Sequence, residues 1–464
     1  MAQNKNIYLL GIVLAIVVNV FSWHLPFFWD TILTSTITQY FYEFGFGNFI
    51  SPSQYDAGHP PFFYIYVTGF YHIFGKNLFA AHLSILPFTI LGIVSFIQLL
   101  QHFSFTKKQQ IFGVVLYFSI PAIITQNILV SYDAVLLSLY LTAFVAFLKD
   151  KKILFSFLLI GIVGISLRGL FCLISLSITI YFLLKKDIKS WMNWSFYFVP
   201  SILIIAVWYV YHYTQTGWFL STNATGWSQQ RGFVNTVGFL KNSLSIARCF
   251  SDLGIVILSL LSLYYFIQKK KIDNFILIAL IPIIIFSISF LPYSNPINHR
   301  YFLIVYVLMI PIVIQFLSNK KLILSVLTIL VLWFGNLQIY PVPISNGWDC
   351  TLAHLSYFKC EDDFNKICDK VWLDKIKDIG TVFPMNASLY QTKMHFDTIK
   401  KINVHEKKLD STQMVLFSNI GNDFSDEQII ELKNWPILYQ TKHGVVELIL
   451  YDNPKNIFDK VIIH

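Results

Sequence analysis

Eight ionisable residues, Asp30, Glu43, Asp56, His59, Asp133, Arg168, His299 and Arg300, each stand at or near the end of a long apolar run. Ionisable groups at membrane depth are costly and mark function by default. Their types divide into two chemistries. Asp30 and Asp133 supply carboxylates able to take a proton from a hydroxyl. Arg168 and Arg300 supply planar, permanently charged forks that suit a phosphate. The combination fits a hydroxyl attacking a sugar that is linked to a lipid phosphate. Phosphate is already a good leaving group, so no strong general acid is needed. A cation on it stabilises the charge that develops.

Each of these residues also has a purely structural use. Asp30 can cap a helix over 31–44, and Asp133 can cap the helix that follows it. Arg168 and Arg300 can snorkel from helix ends. Glu43 reads as solvated on a surface helix. His72, His82 and His102 read as structural or interfacial. No HExxH, paired CxxC, P-loop or GxSxG motif appears in a fitting context. No cofactor is therefore assigned, and a divalent metal would have no assignable ligands.

The elements that carry these residues are read from lysine. Lys107-Lys108, Lys149 with Lys151-Lys152, Lys185-Lys186 with Lys189, Lys269-Lys270-Lys271 and Lys320-Lys321 each follow one apolar run and precede another. Such regular basic stations are the positive-inside signature of a polytopic membrane protein. Composition agrees, with 55% hydrophobic and 13% charged residues. The expected architecture is an α-helical polytopic membrane domain over 1–338 with about eleven spans, since a span needs about 20 apolar residues. They lie near 7–24, 79–101, 111–128, 134–148, 153–167, 169–184, 191–213, 253–268, 275–292, 301–317 and 322–338. With Lys5 inside, alternation places every lysine station on the cytoplasmic side.

One apolar run is excluded from the count. Residues 61–74 (PFFYIYVTGFYHIF) would cover only about 21 Å as a helix, short of a bilayer core of about 30 Å. Counting them would also turn all five lysine stations outward. They are expected to form a helix at the outer surface, as are residues 31–44, within a first outer loop of 25–78. Other outer loops fall at Ser131-Tyr132-Asp133, Leu167-Arg168-Gly169, 214–252 and 293–300.

Residues 339–464 hold charges at ordinary soluble density and form an expected small α/β domain outside the membrane. Strands are expected at 413–418 and 444–451, and a helix at 425–434 from its Ser cap and acidic first turn. Cys249, Cys350, Cys360 and Cys368 would then share the oxidising side, with their pairing open. The formal net charge of +9 resides mostly in the lysine stations. It points to membrane lipids as partners and not to nucleic acid.

Four segments together resemble the GT-C integral-membrane glycosyltransferases. They are Trp29-Asp30, Gly58-His59-Pro60-Pro61-Phe62, Tyr132-Asp133-Ala134-Val135-Leu136 and Arg300-Tyr301-Phe302-Leu303. The nearest branch is the bacterial one similar to protein O-mannosyltransferases and the lipid A aminoarabinose transferase. The resemblance covers about residues 7–338 and implies catalysis by Asp30, with Asp133 as the second-loop acid. Thr31 stands where the family often has a second acid. His59 stands where the aminoarabinose transferase has a phosphate-contacting lysine. Arg168, Arg300, His59, Asp56 and Tyr301 are the expected substrate-binding residues. The implied donor is a polyprenyl-phosphate sugar, and the implied acceptor a hydroxyl of a lipid, glycan or protein outside the cytoplasmic (inner) membrane. Alternative readings are a transporter or flippase of lipid-linked sugars, or a polysaccharide polymerase or ligase.

Overall fold

The structure is a computed structural model. It describes residues 5–23, 30–53, 56–219, 232–251, 255–268, 274–294 and 297–316 of the helical part. Of the remainder it describes 378–381, 403–406, 409, 412–418, 424–443 and 446–455. The run expected to span 322–338 lies outside the described residues, as do Cys350, Cys360 and Cys368.

The helical part runs α1 (Lys5–Val20), α2 (Asp30–Phe44), α3 (Phe62–Phe74), α4 (Leu78–Leu83), α5 (Leu86–His102), α6 (Lys107–Tyr117), α7 (Pro121–Ile128) and α8 (Tyr132–Leu148). It continues α9 (Lys152–Ile165), α10 (Gly169–Leu183), α11 (Ile188–Ser195), α12 (Val199–Thr216), α13 (Thr236–Ser251), α14 (Val256–Gln268), α15 (Asn274–Phe290) and α16 (Leu303–Phe316). A 3₁₀ turn over His299–Phe302 leads into α16.

The centre of the bundle is α8, which is apolar on every face and buried from Asp133 through Leu141 and from Ala143 to Phe147. A helix without a polar face must be covered all round. Helices α5 and α9 flank it, α1 packs on α5, and α12 packs on α9. The outer helices keep one buried face and turn another outward. On α12, Ser201, Ile205, Tyr209 and His212 face in, while Ile202, Leu203, Val207 and Val210 are exposed. Helices α9 and α14 likewise expose Ile153, Leu154, Phe157, Leu260, Leu263 and Ile267. Apolar surface on that scale belongs against lipid.

Ten of the eleven expected spans fall on helices, but their lengths vary. Among the described residues, Leu78–His102 and Ile188–Thr216 are long and apolar enough to cross a bilayer unbroken. Two pairs bend sharply, by 66° between Lys107–Tyr117 and Ala122–Ile128 and by 95° between Thr236–Ser251 and Val256–Gln268. Seven further apolar helices have 10–17 residues, fewer than an average bilayer core requires. Eleven is thus a count of apolar runs, not of full-length crossings.

Helices form over both segments expected to lie at the outer surface. Helices α2 and α3 pack on each other, the Thr68 hydroxyl donates to the Thr38 carbonyl at 3.1 Å, and Lys76 pairs with Glu43 at 3.1 Å. Helices α8, α9 and α10 alternate in direction. Lys149, Lys151, Lys152, Lys185 and Lys186 therefore sit at one end of the bundle, and Asp133 and Arg168 at the other.

The C-terminal part forms a mixed sheet of β1 (Asp378–Thr381), β2 (Asn403–Glu406), β3 (Met414–Ser418), β4 (Ile437–His443) and β5 (Val446–Asp452), in the order β2-β1-β3-β5-β4. Strand β1 runs parallel to β2 and β3, and β5 antiparallel to β3 and β4. Helix α17 (Asp426–Leu432) starts on a Ser425 capping box closed by Gln428. Val415, Leu432, Trp435, Ile449 and Tyr451 form its small core.

The hairpin between α9 and α10 is only three residues long, and Gly169 makes it possible. A Cβ there would come 2.4 Å from the Ile162 carbonyl oxygen and 2.9 Å from the Val163 Cα. Backbone atoms cannot move aside as a flexible side chain could. Gly169→Ala is therefore expected to open the hairpin at a cost of about 1–3 kcal/mol. An unchanged thermal midpoint for the purified variant would contradict this packing.

Candidate active site

Asp133 is placed by the start of α8. The Ser131 hydroxyl caps the helix by accepting from the Asp133 amide at 3.2 Å, and donates to Gln126 Oε1 at 2.6 Å. The cap fixes the backbone, so the carboxylate enters the bundle with little freedom. Its side chain is 2% exposed and Oδ1 is ion-paired with Arg168 Nη1. Oδ2 lies 3.7 Å from Arg300 Nε, an ion pair too long for a hydrogen bond.

Arg168 occupies the hairpin between α9 and α10. Its guanidinium carbon is 5.0 Å from the Tyr132 ring centre and 4.6 Å from that of Tyr301. Burial works against its charge, but Asp133 and the two tyrosines more than offset this and hold it above the ordinary arginine range. Tyr301 stacks in turn on Phe290 at 4.8 Å, and Tyr132 meets His59 edge-on at 5.7 Å. A column of Phe290, Tyr301, Arg168, Tyr132 and His59 thus joins α15, the 3₁₀ turn, the hairpin, α8 and the first outer loop. Cation–π contacts in such a dry setting contribute about 2 kcal/mol each.

Arg300 lies in the 3₁₀ turn, its side chain 9% exposed, and its Nη2 donates to the Tyr301 hydroxyl at 3.3 Å. His299 beside it is buried. His59 is half-buried and its Nδ1 accepts from the Leu167 amide at 3.5 Å, one residue before Arg168. Asp133, Arg168, Arg300, His59 and Tyr301 therefore come together, although they are spread over more than half of the chain. Two guanidiniums thus converge on one carboxylate among the described residues. Such planar, permanently charged forks suit an anion such as phosphate.

Asp56 stands beside this group. Its Oδ2 is 2.8 Å from His212 Nε2 and its Oδ1 accepts from the Gly58 amide at 2.7 Å. Asp30 is the first residue of α2, at the helix N-terminus, and its side chain lies outside the described residues. Glu43 is on the exposed end of α2. His212 is not among the sequence candidates; it lies in the aromatic run Trp208 to Tyr213 at the end of the apolar run expected to span 191–213. An ionisable group inside an otherwise apolar helix was the available signal. Among the described residues, no three His, Cys, Asp or Glu side chains come together as metal ligands.

No protein-family model matches the sequence, and no curated protein matches it either. Solved structures do. The crystal structure of ArnT from Cupriavidus metallidurans bound to undecaprenyl phosphate has a TM-score of 0.55 at 12% identity, covering 95% of this chain and 97% of that one. The apo crystal structure of the same protein gives 0.55 at 13% identity, covering 97% and 98%. Identity this low speaks for the fold alone, and it does so along nearly the whole length of both proteins. The chain has the fold of ArnT along nearly its whole length, as the resemblance read from its outer-loop motifs implies.

Proposed function

We propose that this protein is a GT-C glycosyltransferase that transfers a sugar from a polyprenyl phosphate to an acceptor hydroxyl on the outer side of the cytoplasmic membrane. The observation that carries this is the buried convergence of the Arg168 and Arg300 guanidiniums at Asp133. It lies at the end of the bundle opposite Lys149, Lys151, Lys152, Lys185 and Lys186, where a lipid phosphate would lie outside the cell. The undecaprenyl phosphate bound to ArnT supports the same class of donor.

In this reading the acceptor oxygen attacks the anomeric carbon while Asp30 takes its proton. The carbon–oxygen bond to phosphate breaks, and both electrons leave with the polyprenyl phosphate. Arg168 and Arg300 receive the charge that grows on that phosphate, with His59 beside them. Asp133 acts through the arginines, because its carboxylate sets where both guanidiniums point. Tyr301 and Tyr132 hold Arg168 by ring contacts 4.6 and 5.0 Å from its guanidinium carbon. The domain over 339–464 lies outside the membrane.

Sidedness is open to direct labelling. In a cysteine-free background, Lys108→Cys is expected to resist a membrane-impermeant maleimide in intact cells, and Lys433→Cys to react. Labelling of Lys108→Cys from outside would reverse the orientation and remove the lipid-phosphate reading with it.

Asp30→Asn keeps shape and capping but removes basicity. It is expected to lower release of free lipid phosphate from a radiolabelled polyprenyl-phosphate sugar by about 10²–10⁴-fold, with donor binding retained. Near-normal turnover by the folded variant would return Asp30 to a capping role.

The arginine group separates binding from folding. Arg300→Ala is expected to weaken donor binding about tenfold or more, the usual worth of a hydrogen bond to a charged group. Asp133→Ala takes the paired carboxylate away from the buried Arg168 guanidinium and should cost about 3–5 kcal/mol of stability. Equal thermal midpoints for Asp133→Ala and the native protein would show that the pair is not the buried clamp described above.

A further inference from the structure

Asp56 and His212 form the most deeply buried acid–base contact among the described residues, at 2% and 0% exposure, and the chemistry above uses neither. They are 156 positions apart and lie on different elements, the first outer loop and α12. The imidazole is held on every side. Its Nε2 meets Asp56 Oδ2 at 2.8 Å, and its Nδ1 lies 3.3 Å from both the Trp218 carbonyl oxygen and Thr216 Oγ1. The Trp218 ring stands edge-on to it at 4.4 Å, and the Trp208 ring lies 5.8 Å away. A ring with both nitrogens engaged and no exposed surface cannot reach a substrate.

What the couple can do is fix a turn. Asp56 Oδ1 accepts from the Gly58 amide two residues on, and Gly58 adopts φ +65°, which glycine tolerates without strain. His59 follows at once and then Pro60-Pro61, a stiff lead into α3. His59 Nδ1 meets the Leu167 amide, beside Arg168. A second tether runs from the Tyr211 hydroxyl to Asn48 Oδ1 at 3.0 Å. Helix α12 therefore grips the loop twice, and the tighter grip is three residues from His59.

We propose that the Asp56–His212 couple is a positioning pin that sets His59 against the Leu167–Arg168 hairpin, and through it the affinity for the donor phosphate. This rests on reading the arginine group as a phosphate site. Neither Asp56 nor His212 touches the phosphate. Their effect passes through the turn Asp56-Ala57-Gly58-His59.

The test uses the full chain in lipid nanodiscs with undecaprenyl phosphate as the probe, reading binding and thermal midpoint together. His212→Phe keeps the ring volume but removes the tie, and is expected to raise the Kd about tenfold. In a His59→Ala background the same change should alter the Kd by no more than about twofold, because the group it positions is gone. His212→Gln, which keeps a donor toward Asp56, should recover most of the binding. A merely structural tie would lower the thermal midpoint in both backgrounds without this interdependence. Asp56→Asn, which preserves shape, tests the same link if His212→Phe does not fold. An unchanged Kd for His212→Phe, or losses that multiply with those of His59→Ala, would overturn the pin. Arg300→Ala run in parallel separates the two claims. If it binds normally, the phosphate site itself is wrong and the pin falls with it. If it binds weakly while His212→Phe binds normally, only the pin falls.

Discussion

One buried carboxylate organises the charged end of this bundle. Asp133 is fixed by the Ser131 cap at the head of a helix buried along nearly its whole length, so its position is set by packing on all sides of α8. Arg168 and Arg300 both reach it. Both guanidiniums lose water on burial, and Asp133 offsets part of that cost. The rings of Tyr132 and Tyr301 beside Arg168 contribute further. In the proposed function a lipid phosphate binds these same guanidiniums. Fold and ligand chemistry are coupled here through one ion-pair group.

The two ends of the bundle are built for different tasks. At the lysine end, helices stop in compact turns whose left-handed residues are Ser104, Asp150, Lys185 and Lys186, with no polar side chain of the arginine group nearby. At the other end the chain leaves the bundle in longer excursions. Helices α2 and α3 and the loop before α3 supply His59 and Asp56, and α12 anchors that loop through His212 and Tyr211. The same face that turns α12 inward for packing on α9 therefore also carries the residue that holds the outer loop.

Much of this was legible from sequence because it depends on period, length and sidedness. The short apolar run 61–74 and the polar run 31–44 form α3 and α2. The Ser425 cap begins α17, and the apolar runs near 413–418 and 444–451 form β3 and β5. Asp133, Arg168 and Arg300 could be grouped because alternation of apolar runs puts them on one side. Pairing was not legible. Nothing local links Asp56 to His212, or Arg168 to the ring of Tyr301, since those contacts arise from how helices pack. Strands β1 and β2 are four residues each and carry Asp378, Asn403 and Glu406, too short and polar for an alternation signal. Helix lengths were also hidden, because an apolar run does not reveal where it bends, as between α6 and α7.

The claim at the centre of this account is that a lipid phosphate binds the arginine group. It is tested most directly by an experimental structure of the protein in nanodiscs with undecaprenyl phosphate bound. The phosphate oxygens are expected within hydrogen-bonding distance, about 2.7–3.2 Å, of the Arg168 or Arg300 guanidinium, with His59 beside them. A phosphate seated elsewhere, with the Asp133 group unchanged and the lysine end occupied instead, would contradict it.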